Sequence, residues 1–408
     1  MISLEELKGI KSRQIKILQE NGINTVESLA MSVPDVISEI RGMSDKASKT
    51  LVWEARDVLG MGCFRAVSEI ETNYEYITTG SKNLDTILTA PEKERGGIST
   101  GRITEVFGAF KSGKTNLAHT ICVTVQLPKN RGGLGGSVLF IDTENTFSKG
   151  KIKRIARRFA IDPDEILSNI YHARIYSSDH QVQMIRAAEA AIQEKGARLI
   201  IIDSLMALLR SEYIGIGLLA RRQQVLNQII HELSRLAETY NVAILVTNQV
   251  ATKMKGMFSA DDAIGGNIVA HGCHFRIQFK AKGFSMNSSL ERKGVIVDAP
   301  DLPPLDAQFF ITEAGIADTD IIDYPEIKKS SKKKSKKKSK KKEFDLVSAG
   351  DKDTEQEQVD NDEFQKLIAI LPCSKDEIMD KELEDIFEEA KDKDLITYDR
   401  SDRVWKQI

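Results

Sequence analysis

At 408 residues the chain exceeds one ordinary hydrophobic core and points to two or three domains. With 41% hydrophobic and 29% charged residues it has the composition of a soluble globular protein, and its net charge of −2 conceals strong segregation along the chain. No apolar run approaches a membrane span and no signal-peptide pattern opens the chain, so a cytoplasmic protein with no membrane partner is expected. Cys63, Cys122, Cys273 and Cys373 are scattered, with no C-x-x-C pair, which indicates neither a disulfide framework nor a zinc site.

Residues 1–60 read as helical. A turn at Lys8-Gly9-Ile10 is followed by a helical pattern through Leu18, and Arg41-Gly42-Met43-Ser44 precedes a helix running to Val58. Two such units resemble helix-hairpin-helix modules, which offer turn amides and basic side chains to DNA phosphates. Lys11 stands where a second glycine is usual, and a small bundle that only packs or contacts protein is the alternative. A connector at 61–76 includes Phe64-Arg65-Ala66-Val67, and the core is expected over 77–325.

Gly108, Ala109, Phe110, Lys111, Ser112, Gly113, Lys114 and Thr115 match G-x-x-x-x-G-K-[ST], the P-loop pattern. Backbone N–H groups converge on phosphate oxygens there, Lys114 supplies charge to the outer phosphates, and the Thr115 hydroxyl suits Mg²⁺. Ile103 to Phe107 reads as a strand and Asn116 to Gln126 as a helix, so the anion would sit at a helix N-terminus.

Further strands are Val138–Ile141, Leu199–Ile202 and Val242–Val246, continuous apolar runs suited to a parallel sheet covered on both faces. Each ends in polar residues, where open α/β sheets bind ligands. The fold class expected is α/β with a P-loop ATPase core. Asp203 suits a carboxylate that positions Mg²⁺ and its water, or else caps a helix. Glu144 is a candidate base for water, or else a surface charge after a strand. Gln249 is placed to sense a γ-phosphate.

Taken together these segments resemble the RecA/RadA-type DNA recombinases, the archaeal RadA and eukaryotic recombinases in particular. The resemblance covers roughly residues 1–320. It rests on Ile77 to Asp85, the P-loop, Phe140 to Phe147, Ser178 to Gln181, Leu199 to Ser204, Thr247 to Val250, Ile264 to Ile268 with His271, and Asp298 to Pro303. It implies a RecA-like core that uses ATP and Mg²⁺ as a DNA-dependent ATPase. It also implies filaments on single-stranded DNA, pairing with double-stranded DNA, and strand exchange. By resemblance Glu144 is the catalytic glutamate, acting with Lys114 and Gln249. Gln249 and His271 couple ATP to DNA, Arg222, Lys253 and Lys255 belong to DNA-contacting segments, and Asp298 and Pro303 cap a neighbour's ATP. Location would then be at the nucleoid, or in the nucleus of a eukaryote. His271-Gly272-Cys273-His274 lacks partners at zinc spacing.

Several positions depart from that pattern. Gly215-Ile216-Gly217 has isoleucine where the first DNA loop usually has arginine. The second loop, Ala251 to Ala263, keeps Lys253 and Lys255 but lacks the usual basic and proline residues before Ile264. Val67 replaces the alanine of the Phe-x-x-Ala assembly motif and is larger than its pocket expects. Ser148 and Lys151 stand where arginines are common.

The tail has no counterpart in the resemblance. Lys328 to Lys342 holds eleven lysines and four serines, a basic linker that either follows phosphate backbones or serves solubility or nuclear targeting. Residues 326–362 thus form a Lys-rich then acidic linker. Helical patterns from Glu363 and a hairpin ending in Val404-Trp405-Lys406 look like a winged-helix module over 363–408. Thirteen acids against eight bases there favour a protein partner over DNA. Three functional readings stand: a recombinase, a recombinase paralogue that assists one without exchanging strands, and a DNA-independent ATP switch whose tail recruits partners.

Overall fold

The computed structural model describes residues 2–64, 66–69, 73–255, 258–281, 290–321, 396–399 and 404–407. The chain divides into two units, Met1–Ser331 and Lys332–Ile408.

The first unit opens with a 3₁₀ turn at Leu4–Glu6 and helices α1 (Ser12–Glu20), α2 (Val26–Ala30), α3 (Pro34–Ser38) and α4 (Asp45–Val58). Local chemistry starts three of them: Thr25 accepts the Ser28 N–H, Pro34 occupies the first turn of α3, and Ser44 accepts the Ala47 N–H. Leu18, Val26, Leu29, Ile37, Leu51 and Val52 close a common core. In the first turn the Gly9 N–H, which the sequence reading offers to DNA phosphate, donates to the Glu54 carboxylate at 2.9 and 3.2 Å. An internal anion already fills that position. Beyond α4 the connector carries a 3₁₀ turn at Val67–Glu69 and leaves Phe64 and Val67 exposed.

The core follows as β1 (Tyr76–Ile77), α5 (Lys82–Ile87), β2 (Ile98–Ser99), β3 (Ile103–Gly108), α6 (Lys114–Thr124), β4 (Ser137–Asp142), α7 (Lys149–Arg158) and α8 (Pro163–Ser168). Next come β5 (Ile170–Arg174), α9 (Ser178–Lys195), β6 (Ala197–Asp203), α10 (Ala207–Glu212), α11 (Leu219–Tyr240) and β7 (Ala243–Asn248). The segment β8 (Val250–Lys255), β9 (Phe258–Ala263), α12 (Asn267–Gly272), β10 (Phe275–Ala281), β11 (Glu291–Asp298), β12 (Asp306–Thr312) and β13 (Gly315–Ala317) completes it.

Nine of these strands form one sheet in the order β13-β12-β11-β10-β3-β7-β6-β4-β5. From β10 to β5 neighbours are parallel, and from β10 to β13 they are antiparallel. The continuous apolar runs have a simple cause. Val138 and Phe140 pack with Leu117, Ile121 and Ile155 on one face, while Leu139 and Ile141 pack with Ile185, Leu226 and Leu233 on the other. Leu199 and Ile201 alternate with Ile200 and Ile202 in the same way. Both faces of the strands are covered, and each such fully buried side chain contributes about 1.5–3 kcal/mol of transfer free energy.

The antiparallel strands β11, β12 and β13 and the edge strand β5 escape the sequence reading. The latter's exposed Tyr171 and His172 break the apolar run. The stretch Ala251 to Ala263, read as a loop, pairs as an antiparallel hairpin from Val250↔Ala263 to Lys255↔Phe258. β-branched Val250 suits that conformation. The helical bundle meets the core at half-buried Arg235, which donates to Ser28 Oγ at 2.8 Å and to Glu189 at 2.7 Å. Among the described residues no helix is long and apolar enough to cross a membrane. In the second unit β14 (Ile396–Asp399) pairs with β15 (Val404–Gln407), the hairpin read from sequence; the expected helices and the lysine run lie outside the described residues.

Candidate active site

The carboxyl ends of β3, β4, β6 and β7 frame a cavity of about 520 Å³, lined by the P-loop, Glu144, Thr146, Asp203, Ser204 and Gln249. Gly108 ends β3 where a Cβ would meet the Phe279 carbonyl at 2.3 Å, and Gly113 adopts φ 108° immediately before α6. Both positions require glycine. Ser112 is buried, whereas Phe110 and Lys111 are exposed and Ala109 is half-buried. Lys114 folds its ammonium onto the Gly108 and Ala109 carbonyls at 2.9 and 3.0 Å. Burial lowers its pKa, with Asp203 and Glu144 opposing.

Asp203 gathers three hydroxyls at the cavity. Its Oδ2 accepts Thr115 Oγ1 and Thr146 Oγ1, each at 2.9 Å, and its Oδ1 accepts Thr247 Oγ1. It caps no helix, because α10 begins later with Met206 at its N-cap. This donor set fits Mg²⁺: a hydroxyl and a carboxylate face each other across the phosphate cavity, oxygen ligands of the kind the ion prefers. Thr115 and Asp203 would hold it, and once bound the ion neutralises phosphate charge.

Glu144 is brought to the same cavity. Its Oε1 accepts Ser204 Oγ at 2.5 Å and Gln249 Nε2 at 3.0 Å, while Gln249 Oε1 accepts Arg210 Nη1 at 3.1 Å. Oε1 of Glu144 carries both the Ser204 and the Gln249 bond. Glu144 is exposed, as a surface charge after a strand would be, yet its carboxylate is bonded to Ser204 and Gln249 at the cavity. Below it, buried Glu105 pairs with Arg276 at 2.7 Å and accepts from Asn248 Nδ2 at 2.8 Å, which anchors the residue before Gln249.

Other site residues lie apart from this cavity. Asp298 pairs in register with Arg276, itself beside Glu105, while the P-loop end of β3 pairs with Phe279. Asp298 therefore sits toward the far end of the sheet from its own P-loop, and it and Pro303 are exposed. Arg222, near the start of α11, has a buried Nε without a hydrogen-bond partner. Lys253 and Lys255 are both on β8, and His271 is an exposed residue of α12. His274 is structural: its Nδ1 accepts the Ile103 N–H at 3.1 Å. Ile216 is 92% exposed and Ile214 74% exposed in the segment after α10. Ser148 caps α7, and the half-buried Lys151 donates to the Thr312 carbonyl.

Sequence reasoning overlooks Thr146, Ser204 and Arg210 as members of the site. The first two lie inside recognised motifs, yet only the fold shows that they touch Asp203 and Glu144. Arg210 belongs to no motif. Asp142 is also overlooked. Burial raises its carboxyl, but hydrogen bonds from His172 and from the Phe147, Thr146 and Asn145 amides outweigh it and hold the group below the usual range.

A family model described as Rad51 matches residues 72–319. The chain is 40% identical over 319 residues to "DNA repair protein RAD51" of Saccharomyces cerevisiae, covering 77% of each. It is 41% identical over 326 residues to "DNA repair and recombination protein RadA" of Cenarchaeum symbiosum, covering 78% of this chain and 79% of that one. The "Meiotic recombination protein DMC1 homolog" of Arabidopsis thaliana is 40% identical over 317 residues, covering 76% of this chain and 89% of the relative. With the P-loop cavity and parallel sheet in place, these matches show that the chain belongs to the Rad51 family of RecA/RadA-type recombinases and carries its RecA-like P-loop ATPase core.

Proposed function

We propose that this protein is an ATP-dependent DNA recombinase that hydrolyses ATP with Mg²⁺, assembles on single-stranded DNA and promotes pairing and strand exchange with a duplex. The names of its relatives, which speak of DNA repair, recombination and meiotic recombination, support the DNA recombination and repair role. The observation that carries the ATPase part is the continuous bonded set Arg210–Gln249–Glu144–Ser204 beside Thr115–Asp203–Thr146. In this reading the P-loop amides and Lys114 hold the phosphates, Asp203 and Thr115 hold Mg²⁺, and Glu144 takes the proton of the attacking water. Gln249 reports the site to the β8–β9 hairpin, which with Arg222 and His271 faces DNA. Asp298 and Pro303 lie against a neighbouring protomer's nucleotide, and Phe64 docks into that neighbour.

A second reading has a specific observation in its favour. The exposed Ile216 and Val67 stand where the family pattern has arginine and alanine, which suits a paralogue that assists a recombinase without exchanging strands. Strand exchange by the protein alone, with ATP, Mg²⁺ and homologous DNA, separates the two: joint molecules support the first reading, and ATP turnover without them supports the second.

A further inference from the structure

The side chain of Asp142 is 1% exposed at the end of β4, and the loop bearing Glu144 is wrapped around it. Its Oδ1 accepts the N–H groups of Glu144 at 3.1 Å and Thr146 at 3.2 Å, and its Oδ2 accepts that of Phe147 at 3.2 Å. Asn145, with φ 60°, supplies the left-handed step that lets the chain curl back over one carboxylate. The same loop delivers Glu144 Oε1 to Ser204 and Gln249, and Thr146 Oγ1 to Asp203. One buried anion thus sets both the base side and the metal side of the cavity.

The other support comes from the edge of the sheet. His172 on β5 places Nε2 3.2 Å from Asp142 Oδ2, and Arg174 Nη1 donates to the Asp142 carbonyl at 2.9 Å. The His172 ring lies 4.9 Å from Phe147 and 6.0 Å from Phe140, centroid to centroid, so packing fixes its plane as well. Donation to a carboxylate assigns the proton to Nε2. We propose that Asp142, backed by His172 of the edge strand, is the positioning residue that holds Glu144 in its working place. Every group around the carboxylate is a donor. An amide in its place turns an N–H₂ toward other N–H groups and leaves at least one loop amide without an acceptor. The catalytic consequence rests on Glu144 being the base, as proposed above; the loop geometry does not.

The test uses the full-length protein with ATP, Mg²⁺ and single-stranded DNA. Asp142→Asn is expected to lower kcat by about tenfold or more, as misplacement of a reacting group does, and to move KM for ATP by less than about threefold, because the P-loop is untouched. Hydrogen exchange of the peptide spanning 143–148 should accelerate in the same variant. In a Glu144→Gln background Asp142→Asn should lower turnover no further. His172→Gln, which keeps a donor, should keep kcat within about twofold, whereas His172→Phe, which keeps the ring packing but no donor, should lose several-fold. Unchanged exchange of the 143–148 peptide in Asp142→Asn overturns the proposal, as do fully additive losses with Glu144→Gln or equal loss in both His172 variants. Undiminished turnover in Glu144→Gln alone removes the base reading instead, and the exchange rates still decide the role of Asp142.

Discussion

Around the phosphate cavity the functional side chains bond to one another: Thr115 and Thr146 meet at Asp203, and Ser204 and Gln249 meet at Glu144. The surfaces proposed for DNA and assembly are built differently. There Ile214, Ile216, Phe64 and Val67 face solvent, and Arg222 carries a buried Nε with no partner. A bonded network tolerates few residue types at each position, since an unmatched buried donor costs about 1–3 kcal/mol. An exposed loop imposes no such constraint until its ligand arrives. The difference accounts for the departures at Ile216 and Val67, both on exposed segments.

The largest expected effect comes from removing the charge at the cavity's centre. Lys114→Ala takes away the ammonium over the outer phosphates and should abolish ATP binding or reduce turnover by at least about 10²-fold. Glu144→Gln keeps the hydrogen-bond acceptor at Oε1 but loses the base, so nucleotide binding should persist while turnover falls by about 10²-fold. Steady-state hydrolysis together with a nucleotide-binding titration distinguishes the two. Equal loss of binding in both variants would break the division of roles between P-loop and base.

How much of this was legible beforehand follows the same division. The P-loop, Asp203, Glu144 and Gln249 are readable because each ends an apolar strand, and parallel strands bring their carboxyl ends together. Arg210 is not, because its partner Gln249 lies after β7, and Asp142 is not, because its bonds run to backbone amides of its own loop and to His172 on β5. Nor did the lysine-bearing stretch after β7 announce itself as a hairpin, since its charges hide the alternation of a strand. β11 to β13 carry no clear strand signal because an antiparallel edge mixes Arg292, Lys293 and Gln308 into its strands. The buried Arg292 is an example, a charged residue no hydrophobicity pattern assigns to an interior.

The exposed half can be tested where it is most apolar. If Phe64 docks into a neighbouring core, Phe64→Ala should reduce sedimentation size and DNA-dependent ATPase rate together. Val67→Ala should hold or tighten assembly by relieving excess volume, typically about 1–3 kcal/mol for an overpacked site. A wild type that stays monomeric with ATP and single-stranded DNA would favour the assisting paralogue. A smaller change is expected from Ile216→Arg. One added phosphate contact should tighten single-stranded DNA binding and steepen the slope of log affinity against log salt by about 0.7. No change in that slope would place Ile216 away from the DNA path.

The smallest effect lies at the boundary of the two halves, on α7, where Lys151 replaces the arginine of the family pattern. Burial, with Arg154 adding to it and Glu313 opposing, lowers the Lys151 ammonium from 10.5 to about 8. Below pH 8 the lysine is charged in both folded and unfolded chains, so its burial penalty is fully present. Between pH 8 and 10.5 the unfolded chain holds a proton that the folded chain has released, and stability from this group rises with pH. Lys151→Met removes that titration while keeping an aliphatic chain. The wild type should therefore gain thermal stability relative to Lys151→Met as pH climbs from about 8 to 10.5, with a flat difference below that window. A wild type that instead loses stability relative to Lys151→Met over the same window would mean that the ammonium is favoured where it sits, as an arginine's guanidinium would be. The substitution would then preserve the charge of the family pattern instead of weakening it.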